Sequence, residues 1–234
     1  MKPLGIKNYG SIPHLSISKL GAGDHYINKG QEDILTLKKR DKHDNILVFE
    51  KYDGSNVGIA KIDNNIYPIT RSGYAAKTSR YVQHHYFDKW VQKRRSLFMD
   101  LLKNGERIVG EWMAQAHGIT YTIKYEPIVF FDFFNDNNER LLFNELKLIL
   151  DKYGLQPPRK LHEGEALSVK ELLPILNKRT DEIRSNEMPE GMVFRVERNG
   201  GVDFLAKYVR NDFEPGKYCV NTNDFTWNYN INKI

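Results

Sequence analysis

Cysteine is nearly absent from this chain of 234 residues, whose single thiol belongs to Cys219. No internal disulfide can form, so the disulfide-pinned scaffolds of small secreted proteins are excluded. The sequence also lacks the C-x-x-C and H-x-x-x-H spacings of zinc sites, which disfavours a zinc-binding module. A lone cysteine is typical of a reducing compartment, and we expect the protein to be cytoplasmic.

Long apolar runs are absent too. No stretch approaches the roughly 20 apolar residues that cross a bilayer, and the opening MKPLGIKNYGSIPHLSISKLGAG has no apolar core of a secretion signal. We therefore expect no membrane partner. Hydrophobic residues still make up 40% of the chain and aromatic residues 12%, which suits a packed core. A net charge of +5 favours a polyanionic partner such as nucleic acid.

The hydrophobic pattern alternates between strand-like and helix-like periods. Short apolar runs predict strands at 46–50, 56–62, 66–70, 107–113 and 127–134. The Asn64-Asn65 pair predicts a hairpin turn, and Asn199-Gly200-Gly201 predicts another between GMVFRVER and VDFLAKYV.

Helical spacing covers residues 79–103, where Ser79 is a candidate cap, and residues 139–153. A third helix is predicted from Ser168, which opens a capping box, with Pro174 kinking it or delaying its start. The mixture predicts an α+β fold of antiparallel sheets flanked by helices. No linker interrupts it, so we expect one domain over 1–234 with its core at about 46–213.

The stretch FEKYDGSN places Lys51 at the end of an apolar strand. A lysine there is costly unless its charge is used or suppressed. The plain interpretation is a strand followed by an Asp-Gly turn. The chemical one is a nucleophilic amine held in a pocket.

Other apolar strands also carry charges that a core does not favour. Glu111 lies in VGEW, a carboxylate interrupts VFFDFF, Glu190 precedes the strand GMVFR, and Lys207 ends LAK. Several such charges at strand positions indicate one shared polar pocket.

The order of these runs resembles the covalent nucleotidyltransferase superfamily of polynucleotide ligases and messenger-RNA capping enzymes. That family has K-x-D/H-G, an arginine-containing strand, G-E, an aromatic-Asp strand, E-G and a lysine-bearing strand, in this order. The matching residues are Lys51-Tyr52-Asp53-Gly54, Thr70-Arg71-Ser72, Gly110-Glu111, Phe130-Phe131-Asp132, Glu190-Gly191 and Lys207.

Within the superfamily, E-K-x-x-G-[ST]-N at Glu50 to Asn56 is most similar to ATP-dependent RNA ligases of the nick-sealing type. DNA ligases usually carry arginine at the position of Asn56. The resemblance implies a ligase adenylation domain, ATP-grasp-like, without the OB-fold that DNA ligases and capping enzymes carry. A DNA ligase, a capping-type nucleotidyltransferase and an RNA-end-binding protein impaired in catalysis remain alternatives.

The resemblance implies a reaction in three steps. Lys51 takes AMP from ATP, AMP passes to an RNA 5′-phosphate, and a 3′-hydroxyl displaces it, as in RNA repair. A neighbouring cation and a partly dry pocket would lower the pKa of Lys51. Mg²⁺ or Mn²⁺ is the expected cofactor beside ATP, with carboxylates as ligands. The expected metal ligands are Asp53, Glu111 and Glu190.

The resemblance also implies roles for the remaining motif residues. The catalytic set is Lys51, Asp53, Glu111, Glu190 and Lys207. The ATP-binding set is Glu50, Lys51, Asn56, Arg71, Glu111, Phe130 and Lys207, with Phe130 expected to stack on adenine and Glu111 to contact the ribose.

One departure stands out. Nick-sealing RNA ligases often end the motif series in K-x-K, whereas Lys207 is followed by Tyr208 and Val209. This puts the efficiency of a phosphate-handling step in doubt.

Overall fold

A computed structural model describes residues 2–178, 183–219 and 225–234. Ten strands and five α-helices lie in these ranges. The strands are β1 (Asp44–Lys51), β2 (Ser55–Ile62), β3 (Asn65–Thr70), β4 (Arg107–Trp112), β5 (Tyr121–Ile123), β6 (Ile128–Phe134), β7 (Lys160–Gly164), β8 (Ile183–Ser185), β9 (Gly191–Arg198) and β10 (Gly201–Val209). The helices are α1 (Lys29–Thr36), α2 (Val82–Lys93), α3 (Arg95–Leu101), α4 (Phe143–Tyr153) and α5 (Val169–Leu176).

Two four-stranded antiparallel sheets form the centre of the fold. The first sheet has the order β10-β9-β1-β7 and the second has the order β3-β2-β4-β6, while β5 and β8 pair separately. The predicted α+β class with antiparallel sheets and flanking helices is confirmed. No helix in the described ranges is long and apolar enough to cross a membrane.

Strand β1 shows how the two cores are divided. Ile46 and Val48 pack on one face of the first sheet, in a core that α1 and α5 complete. Leu47 and Phe49 point to the opposite face, into a core shared with the second sheet and helices α2, α3 and α4. Because side chains alternate along a strand, Lys51 continues the row of Leu47 and Phe49 toward the second sheet.

Turn chemistry confirms the predicted hairpins and shifts one of them. Asn199 and Gly200 have positive φ values of 50° and 82° between β9 and β10. The turn between β2 and β3 is made by Asp63 and Asn64, with φ values of 48° and 59°, one residue earlier than predicted. Both central residues with positive φ are typical of a type I′ turn, whose twist matches the flanking strands.

The predicted helices differ from the structure mainly at their ends. Residues 79–103 form two helices rather than one, because Arg94 leaves the helical conformation at φ −113° and ψ 20°. Tyr81, rather than Ser79, occupies the N-cap position of α2, and its side chain makes no capping hydrogen bond. Helix α4 begins at Phe143 rather than at residue 139. The capping box at Ser168 is confirmed, and Pro174 does not delay the start of α5.

Candidate active site

A cleft of 530 Å³ lies between the two sheets. Strands β1, β9 and β10 contribute one wall, strands β2, β3, β4 and β6 contribute the other, and the segment before α2 closes one side. Residues from the predicted set that line the cleft are Glu50, Lys51, Asn56, Arg71, Glu111 and Lys207.

Lys51 and Glu190 form the central ion pair of the cleft. The antiparallel pairing of β1 with β9 sets Lys51 opposite Gly191, so Glu190 lies at the end of the same strand pair. The Lys51 Nζ donates to Glu190 Oε2 at 2.6 Å. A Cβ on Gly191 would lie 1.8 Å from the carbonyl oxygen of Tyr208, so only glycine permits the close approach of β9 and β10 here.

Burial and the neighbouring carboxylates act in opposite directions on Lys51. Burial would lower the pKa of this amine, but Glu190, Glu111 and Asp53 outweigh it, and the pKa of Lys51 is raised above its ordinary value. The predicted lowering of the pKa of Lys51 is therefore wrong for the ligand-free protein. The charges of these three carboxyl groups together exceed the effect of burial on the amine.

Burial also raises the pKa values of Glu111 and Glu190, the two glutamates that interact with Lys51. Burial raises the pKa of Glu111 to about 8, although Lys51 opposes it. Burial likewise raises the pKa of Glu190 to about 7, again against the influence of Lys51. Two carboxyl groups with pKa values near neutral pH thus interact electrostatically with one amine.

Asp53 does not line the cleft, although it follows Lys51 by two residues. Its Oδ2 accepts hydrogen bonds from the backbone N–H groups of Gly118, at 2.5 Å, and Ile119, at 3.0 Å. These two hydrogen bonds hold the loop after β4 against Asp53. Asp53 therefore acts on Lys51 through its charge.

The predicted metal ligands do not form a direct cage. Within the ranges that the structure describes, no group of three or more His, Cys, Asp or Glu side chains could hold a metal ion. The physical reason is that Asp53 is bound to the loop at 118–119 and Glu190 to Lys51. Of the three predicted ligands, only Glu111 lines the cleft.

Lys207 enters the cleft from β10 beside Lys51. Its Nζ lies 3.5 Å from Asp24 Oδ1, and His14 Nε2 lies 3.0 Å from the other oxygen of that carboxylate. Burial and the charge of Lys51 together lower the pKa of Lys207, while Asp24 opposes them. Two amines close enough to influence each other form the cationic part of the cleft.

Glu50 turns away from Lys51 toward the back of the first sheet. It lines a second cavity of 260 Å³ as well as the cleft, and Arg159 Nη1 donates to its Oε2 at 3.2 Å. Burial raises the pKa of Glu50 to about 7 despite Arg159. Its contact with ATP stays a prediction.

Asn56 and Arg71 occupy the wall formed by the second sheet. Asn8 Nδ2 donates to Asn56 Oδ1 at 3.4 Å. The Arg71 side chain is exposed at the rim, where Nη2 reaches Ser11 Oγ at 3.2 Å and the Gly10 carbonyl at 3.4 Å. Both side chains are available to a ligand in the cleft.

Phe130, which the sequence analysis expects to stack on adenine, lies outside the cleft. It is fully buried in the core under the helices, 6.4 Å from Phe98, and it does not line the cleft. The register of β4 on β6 shifts between Val109 and Gly110, so Phe131 is an extra residue without a partner on β4. Because this bulge breaks the strict alternation, Phe131 and Asp132 both face the cleft.

Comparison with known proteins decides the family. The sequence profile of the RNA ligase family matches residues 44–209, more than two thirds of the chain. The chain belongs to the RNA ligase family. The matched residues include the whole ordered set of motifs from Lys51 to Lys207. No curated protein matches the chain significantly.

Solved structures of RNA ligases share the fold of this family member at low identity. A mutant Naegleria gruberi RNA ligase with ATP and Mn is 19% identical, has a TM-score of 0.52, and the match covers 73% of this chain and 51% of that one. The Naegleria gruberi RNA ligase with PPi is 19% identical at a TM-score of 0.51, covering 73% and 50%. An archaeal ATP-dependent RNA ligase is 20% identical at a TM-score of 0.47, covering 71% and 42%. The chain thus spans about half the length of the structures it matches.

This member of the RNA ligase family contains a buried ionic network at the floor of the cleft that the sequence did not predict. Arg195 Nη1 donates to Asp132 Oδ1 at 2.6 Å, linking β9 of the first sheet to β6 of the second. Arg195 Nε donates to Glu197 at 2.7 Å, and Tyr9 donates its hydroxyl to Asp132 at 2.6 Å. The only sequence signal for Arg195 is a charge inside the apolar run GMVFRVER.

A second unpredicted group comes from the segment before α2 and from the first turn of α2. Ser79, Tyr81 and His84 line the cleft together with Lys51 and Lys207 of the first sheet. Sequence patterns assign this segment to a helix, which hides its place at the cleft. Tertiary packing alone brings it there.

Proposed function

We propose that this protein is an ATP-dependent RNA ligase that forms a covalent lysyl-AMP on Lys51. The carrying observation is the position of the Lys51 amine in the cleft, 2.6 Å from Glu190 and within electrostatic reach of Lys207. An amine between carboxyl groups and a second cation suits nucleophilic attack on a phosphate. The match to the RNA ligase family supports the choice of reaction and of RNA as substrate.

In the first step the Lys51 amine loses a proton and attacks the α-phosphorus of ATP. A P–N bond forms, the P–O bond to the β-phosphate breaks, and pyrophosphate leaves. An RNA 5′-phosphate oxygen then attacks the same phosphorus, and the P–N bond breaks. In the third step the 3′-hydroxyl of a second end attacks the RNA 5′-phosphorus, joins the ends and releases AMP.

Glu190 is the group best placed to take the proton from Lys51. It already accepts a hydrogen bond from the amine, and burial raises its pKa to about 7. A carboxylate whose pKa lies near the working pH is suited to general base catalysis. Lys207 then stabilises the charge that accumulates on the phosphate oxygens during the attack.

A divalent cation fits the cleft at Glu111 more than at the predicted three-carboxylate set. Glu111 lines the cleft and its pKa is raised to about 8, so ionising it there is costly in the ligand-free protein. Oxygen ligands of this kind suit Mg²⁺ or Mn²⁺, held in part through water. When bound, such an ion would stabilise negative charge on the phosphates and favour the ionised form of Glu111.

Other residues of the cleft orient the nucleotide and the RNA in this proposal. Asn56 and Arg71 bind phosphate or sugar groups on the second-sheet side. Phe131 replaces Phe130 as the aromatic side chain that stacks on adenine, since it is the one that faces the cleft. A contact of Glu50 with ATP stays part of the proposal.

The chain contacts also support a single adenylyltransferase unit. Residues before the family match pair with β10, where Lys207 N–H donates to the Pro13 carbonyl at 2.9 Å. The C-terminal Ile234 is buried in the core under the helices. We propose a cytoplasmic enzyme of RNA repair, consistent with the lone cysteine.

Label transfer from α-³²P-ATP tests the proposal. The protein, purified free of bound AMP, is incubated with Mg²⁺ or Mn²⁺ and separated on a denaturing gel. We expect a labelled band from the wild type and none from Lys51→Ala. Lys147→Ala is the matched control, because Lys147 is half exposed on α4, where it pairs with Asp151.

Label on Lys51→Ala, or no label on the wild type under any of these conditions, would contradict the proposal. Parallel reactions with α-labelled GTP and with nicked DNA test the capping-type and DNA-ligase alternatives. Ligated product from 5′-phosphorylated RNA, but not from DNA, is the expected result. RNA binding without any label would favour the impaired RNA-end-binding alternative.

A further inference from the structure

An exposed aromatic ring stands at the mouth of the cleft. Tyr81 lines the cleft and is nevertheless 50% exposed. It lies on the segment between β3 and α2 together with the cleft residue Ser79, and the cleft residue His84 follows in the first turn of α2. A large exposed aromatic side chain at a functional cleft is typical of a binding surface rather than of core packing.

Three contacts hold the Tyr81 ring in place. The Arg80 guanidinium carbon lies 4.8 Å from the ring centroid, and Arg80 Nη2 donates to the Tyr81 hydroxyl at 2.6 Å. His84 meets the ring edge-on at 5.8 Å. Ser79 Oγ fixes both residues, because it lies 2.7 Å from His84 Nδ1 and accepts from the Tyr81 backbone N–H at 3.2 Å. The ring is thus ordered before any ligand arrives.

The charge at this mouth is positive. Arg80 and Arg71 are both exposed, and Arg71 also lines the cleft. Burial and the neighbouring imidazoles lower the pKa of His84 to about 4, so His84 is neutral at pH 7 and contributes a flat polar ring. Aromatic rings interleaved with arginines are the usual surface for single-stranded nucleic acid, since bases stack on the rings and phosphates pair with the arginines.

We propose that Tyr81, braced by Arg80 and His84, stacks against a base of single-stranded RNA near the end to be joined, while Arg71 and Arg80 bind its phosphates. This inference rests on the proposed function, for which it names the RNA-binding surface. ATP is the less suitable occupant, because Phe131 already offers an aromatic ring inside the cleft beside Lys51 and Lys207. Tyr81 occupies the open side, where a long polymer can enter.

Fluorescence anisotropy with a short, 5′-phosphorylated, single-stranded RNA tests this surface without ATP. In a Lys51→Ala background we expect Tyr81→Ala and Tyr81→Leu to weaken RNA binding by roughly fivefold to a hundredfold, the range for loss of one base–aromatic stack. Tyr81→Phe keeps the ring and stays within about twofold. Arg80→Ala is expected to reduce the salt dependence of binding by about one phosphate contact.

Tyr125→Ala is the matched control, because Tyr125 is 54% exposed and does not line the cleft. Equal RNA affinity for Tyr81→Ala and Tyr125→Ala would overturn the inference, as would an absence of RNA binding by the parent protein. If Tyr81→Ala loses ATP affinity in calorimetry while its RNA affinity is unchanged, the ring binds adenine, and that result would also overturn the inference. Since binding needs no chemistry at Lys51, failure of label transfer and failure of this surface are separate results.

Discussion

Lys51 Nζ lies 2.6 Å from Glu190 Oε2, across the last pair of residues that joins β1 to β9. The pair couples the proposed nucleophile to a carboxyl group whose pKa is raised to about 7. In the ligand-free state the carboxylates hold the proton on Lys51, since the pKa of the amine is raised. In the proposed reaction, the amine therefore becomes nucleophilic only when the charge balance of the cleft changes.

Replacement of Glu190 tests this coupling. Glu190→Gln removes the nearest of the charges that raise the pKa of Lys51, so a larger fraction of the amine is unprotonated at any given pH. We expect the rise of lysyl-AMP formation with pH to move to lower pH, and the maximal rate to fall roughly 10- to 100-fold because the group that accepts the proton of the amine and holds the amine in place is lost. Single-turnover labelling across pH measures both effects.

Glu163→Gln, on the exposed face of β7, serves as the control for Glu190→Gln. A pH profile that coincides with that of the wild type would show that Glu190 does not set the protonation of Lys51. A lowered rate without any shift would assign Glu190 to positioning alone.

The two neighbouring phenylalanines of β6 provide a matched comparison. Phe130 is fully buried, so Phe130→Ala is expected to lower the free energy of unfolding by about 3–5 kcal/mol. Phe131 faces the cleft, so Phe131→Ala is expected to raise the KM for ATP roughly tenfold, within the range of a lost base stack, at a smaller cost in stability. Urea unfolding and ATP-dependent labelling separate the two. The reverse pattern would restore Phe130 as the adenine-stacking residue.

Glu111 makes the stability of the protein depend on pH. Its pKa is about 8 in the folded protein against an ordinary value of 4.5, so the folded state retains a proton that the unfolded state releases. Stability therefore falls as pH rises from about 4.5 to about 8. We expect Glu111→Gln to have a higher Tm than the wild type at pH 8 to 9, with the difference vanishing toward pH 4.5, and to lose lysyl-AMP formation.

Glu165→Gln supplies the control for Glu111→Gln. The Glu165 side chain is 77% exposed and pairs with Lys39 at the surface. Glu165→Gln is expected to leave the pH dependence of the Tm unchanged. A Tm difference for Glu111→Gln that does not vary with pH would show that ionisation of Glu111 is not its cause.

The buried ionic network between the sheets is expected to be fragile toward single replacements. Asp132→Ala leaves the Arg195 charge buried without its partner across the sheets and should lower the free energy of unfolding by about 3–5 kcal/mol. The double replacement of Asp132→Ala with Arg195→Met removes both charges and should lose less stability than Asp132→Ala and Arg195→Met lose in sum. Chemical denaturation of the four proteins measures the coupling, and strict additivity would refute it.

Local chemistry made much of the fold predictable. The apolar run before Lys51, the hairpin around Asn199 and Gly200, and the capping box at Ser168 each specify their conformation through neighbouring residues. The ordered motifs likewise predicted that Lys51, Glu111 and Lys207 would meet in one pocket. Their prediction did not depend on any distance between elements, since the motifs identify a family whose fold brings them together.

Other features depend on contacts between distant segments, and these could not be read from the pattern. A bulge at Phe131 reversed the choice between Phe130 and Phe131, because pairing with β4 sets the register of β6. The break at Arg94 divided one predicted helix, and packing brought Tyr81 to the cleft.

By itself the sequence determined the types of side chain that meet in the cleft and the strands that carry them. Only the tertiary structure decided their charge states, because a pKa depends on burial and on the distances between groups that lie far apart in the chain. Lys51 illustrates the division, since its prediction as the reactive amine follows from FEKYDGSN and the motif order. Its raised pKa follows from the three carboxylates that β4, the residue before β9 and the turn after β1 place around it.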